Sequence, residues 1–373
     1  MPKNISIEIP DKISEILGSG DEAAKAAIQS LVSDLVHKGM ISRSEAEGLP
    51  GVDEITSVDS YAKIHPVVIF PFVWRAKETA DAQSSKKRSY VNRDLQELYS
   101  KLLPDLVEEK ETYARPITVM DWKTYLNNVK YKFAPPEWKE SFEDFCRDYI
   151  EKYSTLIKAW CVDTCQMWNT GLGAAFENGA DRGIYWLIPG DFNYSQKEDV
   201  LETMKELPKA IQGGQDLCVG QISVEVNSSK QLIDTYGTYG LLYNWFPHEA
   251  QEIRKITDKP RSEFFAIRGS FLEEVLRQRW YPYEQTIVIL LQAIANKKRI
   301  AMVKLGDISD LPEGRETVAA AMQQVERTER VLKLVWREGK EHEQRWIDDF
   351  RILDQQSEQI RGAALVILRN LLQ

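Results

Sequence analysis

The sequence predicts an α/β protein with a mostly parallel sheet flanked by helices. Two observations lead to this fold class. Short runs rich in β-branched and aromatic residues recur along the chain, and segments with helical spacing of apolar residues separate them. Strands that alternate with helices form parallel sheets through right-handed crossovers. With 373 residues, the chain is long enough for two domains, or for one large domain with appendages.

The composition excludes several classes of protein. A net charge of -9 argues against a protein that coats nucleic acid, because neutralising phosphates requires clustered lysine and arginine. No window approaches 18 uninterrupted apolar residues, so no membrane-spanning helix is predicted. The first residues lack the pattern of a signal peptide, and four cysteines in a chain of this size do not suggest a disulfide framework. We therefore expect a cytoplasmic protein.

Residues 1–60 are predicted to form a small N-terminal module. Residues 4–10 (NISIEIP) alternate apolar and polar side chains like a strand, and two helical stretches follow around 21–40 and 42–50. Ser42 and Glu45 have the spacing of a capping box at the start of the second stretch. The segment weakly resembles small bacterial antitoxins that carry a strand and a short helix-turn-helix. The alternative is a docking or dimerisation element.

Residues 61–315 are predicted to form the sheet domain. Its predicted strands are, in chain order, residues 66–72 (PVVIFPF), 116–122 (PITVMDW), 183–189 (GIYWLIP), 217–226, 263–268 and 300–306. Helical spacing is found at 94–109, and a helix-rich stretch is expected from about Pro136 to Gly179. This order of strands and helices defines the α/β prediction.

Residues 316–373 are predicted to form a helical C-terminal extension. In 324–336 and 361–372, apolar residues recur at helical spacing. Such helices pack on their own domain or on a second copy of the chain, so a homo-oligomer through these helices is one expectation. An interfacial membrane anchor fits less well, because the preceding stretch has mixed charge and is not basic.

Polar and aromatic side chains follow the first three strands of this domain. They are Phe72, Trp74 and Glu78 after the first strand, Asp121 after the second, and Asp191 with Asn193 after the third. In open α/β sheets, ligands bind beyond the carboxyl ends of the strands, and carboxylate and amide oxygens are ligands that Mg²⁺ and Mn²⁺ prefer. Each acid also has a structural alternative: Asp121 could cap a helix, and Asp191 could close an Asx-turn.

The stretch 168-WNTGLGAAFENGADRGIYWLIPGDFNY-194 resembles inverting GT-A glycosyltransferases of the dolichyl-phosphate mannose synthase type. The positions that match that family's motifs are Asn169, Gly171, Ala180, Asp181, Asp191 and Asn193. Segments 215–226, 258–276 and 283–306 follow in the family's order. Asn193 departs from the pattern, because it replaces the second acid of the metal motif. The first loop also lacks the usual Asn-Glu pair, and no C-terminal membrane helices follow.

The resemblance implies a nucleotide-diphospho-sugar donor and an acceptor that the sequence does not identify. The residues implied in nucleotide binding are Phe72, Trp74, Glu78, Asp121, Asn169 and Asp191. Asp191 and Asn193 would bind Mg²⁺ or Mn²⁺ against the two phosphates.

The resemblance also implies a catalytic base near the start of the 263–268 strand. Glu263 is at a position similar to the family's catalytic acid, and Asp258 is the nearby alternative. Arg261 or Arg268 could bind a phosphate or the acceptor, because a guanidinium matches such oxygens in a bidentate manner.

Two other functions compete with this one. A sugar-phosphate nucleotidyltransferase could use a similar sheet, but no glycine-rich phosphate loop follows the first strand. A catalytically silent GT-A-like domain, serving as a binding or regulatory protein, would account for Asn193 and for the altered first loop.

Overall fold

The computed structural model describes residues 28, 32, 62–70, 98–126, 143–160, 164–190, 192, 194, 199–223, 233–281, 284–306, 308 and 318–372. Contacts divide the chain into two units, Met1–Ala62 and Lys63–Gln373. The first unit contributes only Ile28, Val32 and Ala62 to the described residues. The predicted N-terminal strand, and almost all of the antitoxin-like segment, therefore lie outside the described residues.

The second unit is built on a seven-stranded sheet. The strands are β1 (Ile64–Phe70), β2 (Ile117–Asp121), β3 (Thr155–Ala159), β4 (Ile184–Pro189), β5 (Leu217–Ile222), β6 (Phe265–Arg268) and β7 (Ile300–Gly306). Their order across the sheet is β3-β2-β1-β4-β6-β5-β7, and only β6 runs antiparallel to its neighbours. The predicted fold class, α/β with a mostly parallel sheet flanked by helices, is confirmed.

Helices separate the strands along the chain. The α-helices are α1 (Leu103–Glu108), α2 (Trp122–Tyr125), α3 (Thr164–Gly179), α4 (Val200–Gln212), α5 (Gly240–Trp245), α6 (Pro247–Ile256), α7 (Gly269–Leu276), α8 (Gln285–Ala295), α9 (Val318–Lys340) and α10 (Trp346–Leu372). Three π-helical segments, Leu98–Leu102, Cys146–Glu151 and Ile233–Tyr239, and the 3₁₀-helix Ala180–Arg182 complete the helical part of the described chain.

The central strands are buried because helices cover the sheet. Every residue of β1 and β4 is buried, which explains why both strands appear in the sequence as nearly continuous apolar runs. Helix α3 packs against β1 and β2. Gly171 allows this close approach, since a Cβ atom there would lie 2.5 Å from Cγ1 of Val67 and 2.7 Å from Cγ2 of Val119. Gly171 is therefore a packing residue.

The segment predicted to be helix-rich, from Pro136 to Gly179, contains a strand that the sequence analysis missed. Residues Thr155–Ala159 form β3, which pairs parallel with β2 at the edge of the sheet. The strand was missed because Thr155 and Lys158 are exposed and its apolar run is short. The prediction of a helix-rich stretch did not include this strand.

The C-terminal helices pack on the sheet domain. Helices α9 and α10 contact each other, and both contact α5 and the π-helical segment Ile233–Tyr239. A buried carboxylate links them: Glu329 accepts a hydrogen bond from the Ser357 hydroxyl at 2.9 Å and pairs with Arg361 at 2.6 Å. No helix in the described part of the chain is long and apolar enough to cross a membrane. A homo-oligomer through these helices stays a prediction.

His65 makes the stability of the sheet sensitive to acid. Its ring is 8% exposed and stacks on Tyr185 with ring centroids 5.1 Å apart. Burial, with a smaller effect of Lys63, lowers the pKa of His65 from 6.5 to about 4. The unfolded chain therefore binds this proton more strongly, so the contribution of His65 to stability is complete above pH 6.5 and declines as the pH falls towards 4.

We predict that the unfolding free energy of the native protein decreases when the pH is lowered from 7.5 to 5. This decrease should be about 2 kcal/mol larger than the decrease for the His65→Phe variant. Phenylalanine preserves the aromatic stack but cannot take up a proton. Urea unfolding at the two pH values measures the difference. Equal pH dependence of the two proteins would show that His65 does not titrate in this range.

Candidate functional site

The carboxyl ends of the central strands meet at one edge of the sheet. β1 lies between β2 and β4, with Phe70 opposite Met120 and Ile69 opposite Pro189. The chain builds the sheet outward from β1 through β2 to β3 and then returns to the other side of β1 as β4. Such a switch point is where open α/β sheets form their ligand crevice. Because β6 is antiparallel, the residues just before it lie at this same edge.

The segment after β4 is fixed by backbone and aromatic contacts. The Gly190 N–H donates to the Ile69 carbonyl at 2.6 Å, and the Tyr194 hydroxyl donates to the Pro189 carbonyl. Phe192 packs edge-to-face on Phe264, with ring centroids 4.8 Å apart. These contacts join the end of β4 to the residues that precede β6.

The segment before β6 is fixed to β5. The Ser262 hydroxyl donates to the Gly220 carbonyl, and the Gly220 N–H donates to the Phe264 carbonyl at 2.7 Å. Glu263 lies between these two anchored residues and is half-buried. Its backbone is therefore held firmly at the carboxyl edge, which is a requirement for a side chain that acts on a ligand.

A pocket of about 130 Å³ lies between these segments and helix α9. Its lining residues are Phe192, Ile222, Ile233, Asp234, Lys259, Arg261, Ser262, Glu263, Phe264 and Gln324. They come from five places in the chain: the segment after β4, the end of β5, the π-helical segment Ile233–Tyr239, the segment before β6, and α9. The pocket therefore combines two acidic and two basic side chains with aromatic and aliphatic ones.

Arg261 is held by two acceptors at the wall of the pocket. Its Nε and Nη2 atoms donate to the two carboxylate oxygens of Glu284 at 3.0 and 3.3 Å. Nη1 donates to Oε1 of Gln324 at 2.8 Å. Burial lowers the pKa of Arg261, but the nearby carboxylates of Glu284, Asp234 and Glu263 raise it, and the net shift is upward. Arg261 therefore remains charged in the folded protein.

Of the two acids predicted as catalytic base, only Glu263 lines the pocket. Asp258 is exposed; its carboxylate pairs with Arg254 at 3.4 Å, and its N–H donates to Oε1 of Gln221 at 3.1 Å. A solvent-exposed carboxylate in a helix-end ion pair is poorly placed to take a proton inside a pocket.

Three other predicted site residues do not line the pocket. Asp121 lies at the same edge, at the end of β2, two strands from β4 and thus about 10 Å away at ordinary strand spacing. Asn169 is exposed on α3. Arg268 pairs in register with Ile184, at the amino end of β4, which is the opposite edge of the sheet.

Arg268 serves the fold at that opposite edge. It is 2% exposed and donates to the carbonyl oxygens of Ile211 at 3.0 Å and Gln215 at 3.1 Å. It also pairs with Asp216 at 3.3 Å. Of the two arginines predicted as alternatives for binding a phosphate or the acceptor, only Arg261 lines the pocket, because the antiparallel direction of β6 places Arg268 at the opposite edge of the sheet.

The predicted metal ligands, Asp191 and Asn193, lie outside the described residues, as do Phe72, Trp74 and Glu78. Within the described ranges, no group of three or more His, Cys, Asp or Glu side chains could hold a metal ion. The metal site at Asp191 and Asn193 therefore stays a prediction. The described neighbourhood suits it, because Phe192, between the two residues in the chain, shares the pocket with the carboxylates of Asp234 and Glu263.

The sequence analysis missed four polar residues of the pocket: Asp234, Lys259, Ser262 and Gln324. Lys259 and Ser262 lie in the segment that also carries Arg261 and Glu263, so their proximity in sequence could have identified them. Asp234 and Gln324 come from helical segments far along the chain, and no local pattern marks them. Asp234 is 5% exposed, a rare position for an acid unless it is paired, and its charge acts on Arg261.

Comparison with protein-family models finds no match, and comparison with curated proteins finds none either. Among solved structures, the chain is similar to glucosyl-3-phosphoglycerate synthase from Mycobacterium tuberculosis in complex with phosphoglyceric acid (TM-score 0.47, 12% identity, 75% of this chain and 82% of that chain). The complex of that enzyme with Mn²⁺, uridine-diphosphate and glucosyl-3-phosphoglycerate gives a TM-score of 0.46 at 14% identity, covering 76% and 85%. A structure described only as a mycobacterial protein gives 0.45 at 12% identity, covering 72% and 74%. These values are too low to place the chain in the family of those proteins.

Proposed function

We propose that the protein is a metal-assisted, inverting glycosyltransferase of the GT-A type that transfers a sugar from a nucleotide-diphospho-sugar to an acceptor hydroxyl. One observation carries the proposal. Phe192, the chain neighbour of both predicted metal ligands, lines the same pocket as Glu263, the predicted base. A metal-diphosphate site and a proton acceptor on adjoining walls of one pocket are what a single displacement requires.

The donor would lie along the carboxyl edge, from β2 to β4. Asp121, at the end of β2, would accept hydrogen bonds from the nucleoside, with Asn169 and the residues Phe72, Trp74 and Glu78 as further contacts. Asp191 and Asn193 would hold Mg²⁺ or Mn²⁺, which neutralises charge on the departing nucleoside diphosphate. This arrangement directs the sugar towards the pocket that contains Glu263.

Glu263 would take the proton of the acceptor hydroxyl. The acceptor oxygen forms a bond to the anomeric carbon, the bond from that carbon to the phosphate oxygen breaks, and the nucleoside diphosphate leaves with the bonding pair. A carboxylate is sufficient as the base, provided that it lies within hydrogen-bonding distance of the hydroxyl. The half-buried position of Glu263 supports this role over the exposed Asp258.

The charge of the pocket indicates the kind of acceptor. Lys259 and Arg261 line it together with Glu263. A guanidinium and an ammonium beside a proton acceptor favour an acceptor that carries a phosphate or carboxylate near the reacting hydroxyl. We therefore propose a small anionic acceptor.

A melting-temperature experiment tests the proposed function. We predict that Mn²⁺ together with one member of a panel of UDP- and GDP-sugars raises the melting temperature, with about 2.7 kcal/mol of stabilisation when the ligand is at a hundredfold excess over its Kd. The metal alone and each nucleotide sugar alone are the controls, and both should give smaller shifts. If no nucleotide sugar shifts the transition with or without metal, the chain is instead a catalytically silent domain.

A further inference from the structure

Helix α9 is part of the wall of the candidate site, although it follows the last strand of the sheet in the chain. Gln324 lines the pocket and accepts a hydrogen bond from Nη1 of Arg261 at 2.8 Å. One turn later, Arg327 approaches the carboxylate of Glu284, with Nε 3.8 Å from Oε1. The same helix therefore contacts Arg261 directly and through its carboxylate partner.

The carboxylate of Glu284 is the centre of this arrangement. Its side chain is 1% exposed and comes from the residue that precedes α8. The Glu284 side chain does not cap that helix. Instead it accepts the bidentate hydrogen bonds of Arg261, a geometry that restrains both the position and the plane of the guanidinium.

Arg261 has more N–H donors than Glu284 and Gln324 accept from. A guanidinium has five N–H groups, and Glu284 and Gln324 accept from three of them. The two others belong to the terminal nitrogens Nη1 and Nη2. A terminal N–H group of a fixed guanidinium can donate a charge-assisted hydrogen bond to an oxygen of a phosphate or carboxylate.

We infer that Glu284, Gln324 and Arg327 are positioning residues that fix the Arg261 guanidinium so that its remaining terminal donors bind an anionic group of the ligand. The C-terminal extension thereby becomes a component of the ligand site. The identity of the ligand rests on the proposed function. The geometry alone indicates only that the ligand carries an anionic oxygen group.

The carboxyl groups of Glu284, Asp234 and Glu263 lie near Arg261 and offset part of its charge, which makes the orientation of the guanidinium important. Binding depends on directed hydrogen bonds, so a small rotation of the guanidinium costs affinity even though its charge is unchanged.

Gln324 is the residue at which positioning can be separated from folding. Breaking the buried pair at Glu284 would leave an uncompensated charge and could prevent folding. Gln324→Met keeps the length of the side chain but removes the acceptor for Nη1. The neighbouring Gln323 is exposed on the same helix, so Gln323→Met is a matched control.

The experiment follows the guanidinium of Arg261 by nitrogen-15 NMR in the whole 373-residue chain, with Arg261→Lys identifying its signals. In the native protein and in Gln323→Met, we expect hindered rotation, seen as separate Nη1 and Nη2 signals, and a shift on titration with inorganic phosphate. Gln324→Met should average the two signals and weaken phosphate binding about fivefold, as expected for the loss of one hydrogen bond. Averaged signals in the native protein, or equal phosphate affinity in both glutamine variants, would overturn the inference.

This readout does not depend on sugar transfer. If no nucleotide sugar binds but Gln324→Met still releases the guanidinium and weakens phosphate binding, the proposed function fails and the positioning role stands. If turnover is found and Gln324→Met changes neither KM nor the Arg261 signals, the positioning role fails alone.

Discussion

Replacing Glu263 by glutamine should reduce kcat for sugar transfer by about 10² to 10⁴-fold, the usual contribution of a positioned general base. Glutamine has the size of glutamate and can still accept a hydrogen bond, but it cannot take a proton at neutral pH. Ser262 and Phe264 fix the backbone on either side of this position, so the fold should tolerate the change. Donor binding should be nearly unaffected, since the base acts on the acceptor.

The matched control is Asp258→Asn, which makes the same acid-to-amide change at the other predicted base. Asp258 is exposed and its carboxylate pairs with Arg254, so the variant should retain nearly native kcat. Steady-state kinetics with saturating donor measure both variants. A large loss for Asp258→Asn, with Glu263→Gln unaffected, would reverse the assignment of the base.

Replacing Asp191 by alanine should abolish the stabilisation that Mn²⁺ adds to nucleotide-sugar binding. The carboxylate is the only charged ligand in the predicted metal pair, and its removal leaves Asn193 with a single neutral amide oxygen. The loss should amount to about 2 to 3 kcal/mol of ligand-dependent stabilisation under the conditions of the melting experiment. Catalysis should fall with it, because the leaving diphosphate then carries uncompensated charge.

Asn193→Asp is the informative counterpart of this variant. It restores the second acid that the resemblance to GT-A enzymes leads one to expect, so it should tighten Mn²⁺ binding rather than weaken it. Mn²⁺ is titrated into the native protein, Asn193→Asp and Asp191→Ala, and the melting temperature is measured at each concentration. The results give the order of the three Mn²⁺ affinities. The proposed metal site would be excluded by unchanged metal dependence in both variants.

The positions of the buried central strands could be predicted from the sequence. β1 and β4 are covered on both faces, so their apolar runs are continuous and their positions were predicted to within a few residues. β3 was missed because two of its five positions are exposed and its apolar run is short. The other edge strand, β7, was predicted because its run IAMVKLG is longer and more apolar. The antiparallel direction of β6 could not be predicted, since a four-residue strand has the same composition in either direction.

Only those residues of the candidate site that lie next to a predicted strand could be predicted. Glu263 and Arg261 were found because they precede a strand whose position the sequence indicated. Arg268, five residues beyond Glu263, was assigned to the same site, but the strand carries it to the other edge of the sheet. Gln324 and Asp234 could not be found, because only the tertiary packing of helical segments onto the sheet brings them to the pocket.

The most direct test of the central claim is a crystal structure of the protein with Mn²⁺ and the nucleoside diphosphate that gives the largest melting shift. The proposed function predicts a metal ion that bridges the Asp191 carboxylate and both phosphates, next to the pocket of Glu263 and Arg261. A diphosphate bound elsewhere, or an Asp191 carboxylate that contacts neither the metal nor the nucleotide, would contradict it.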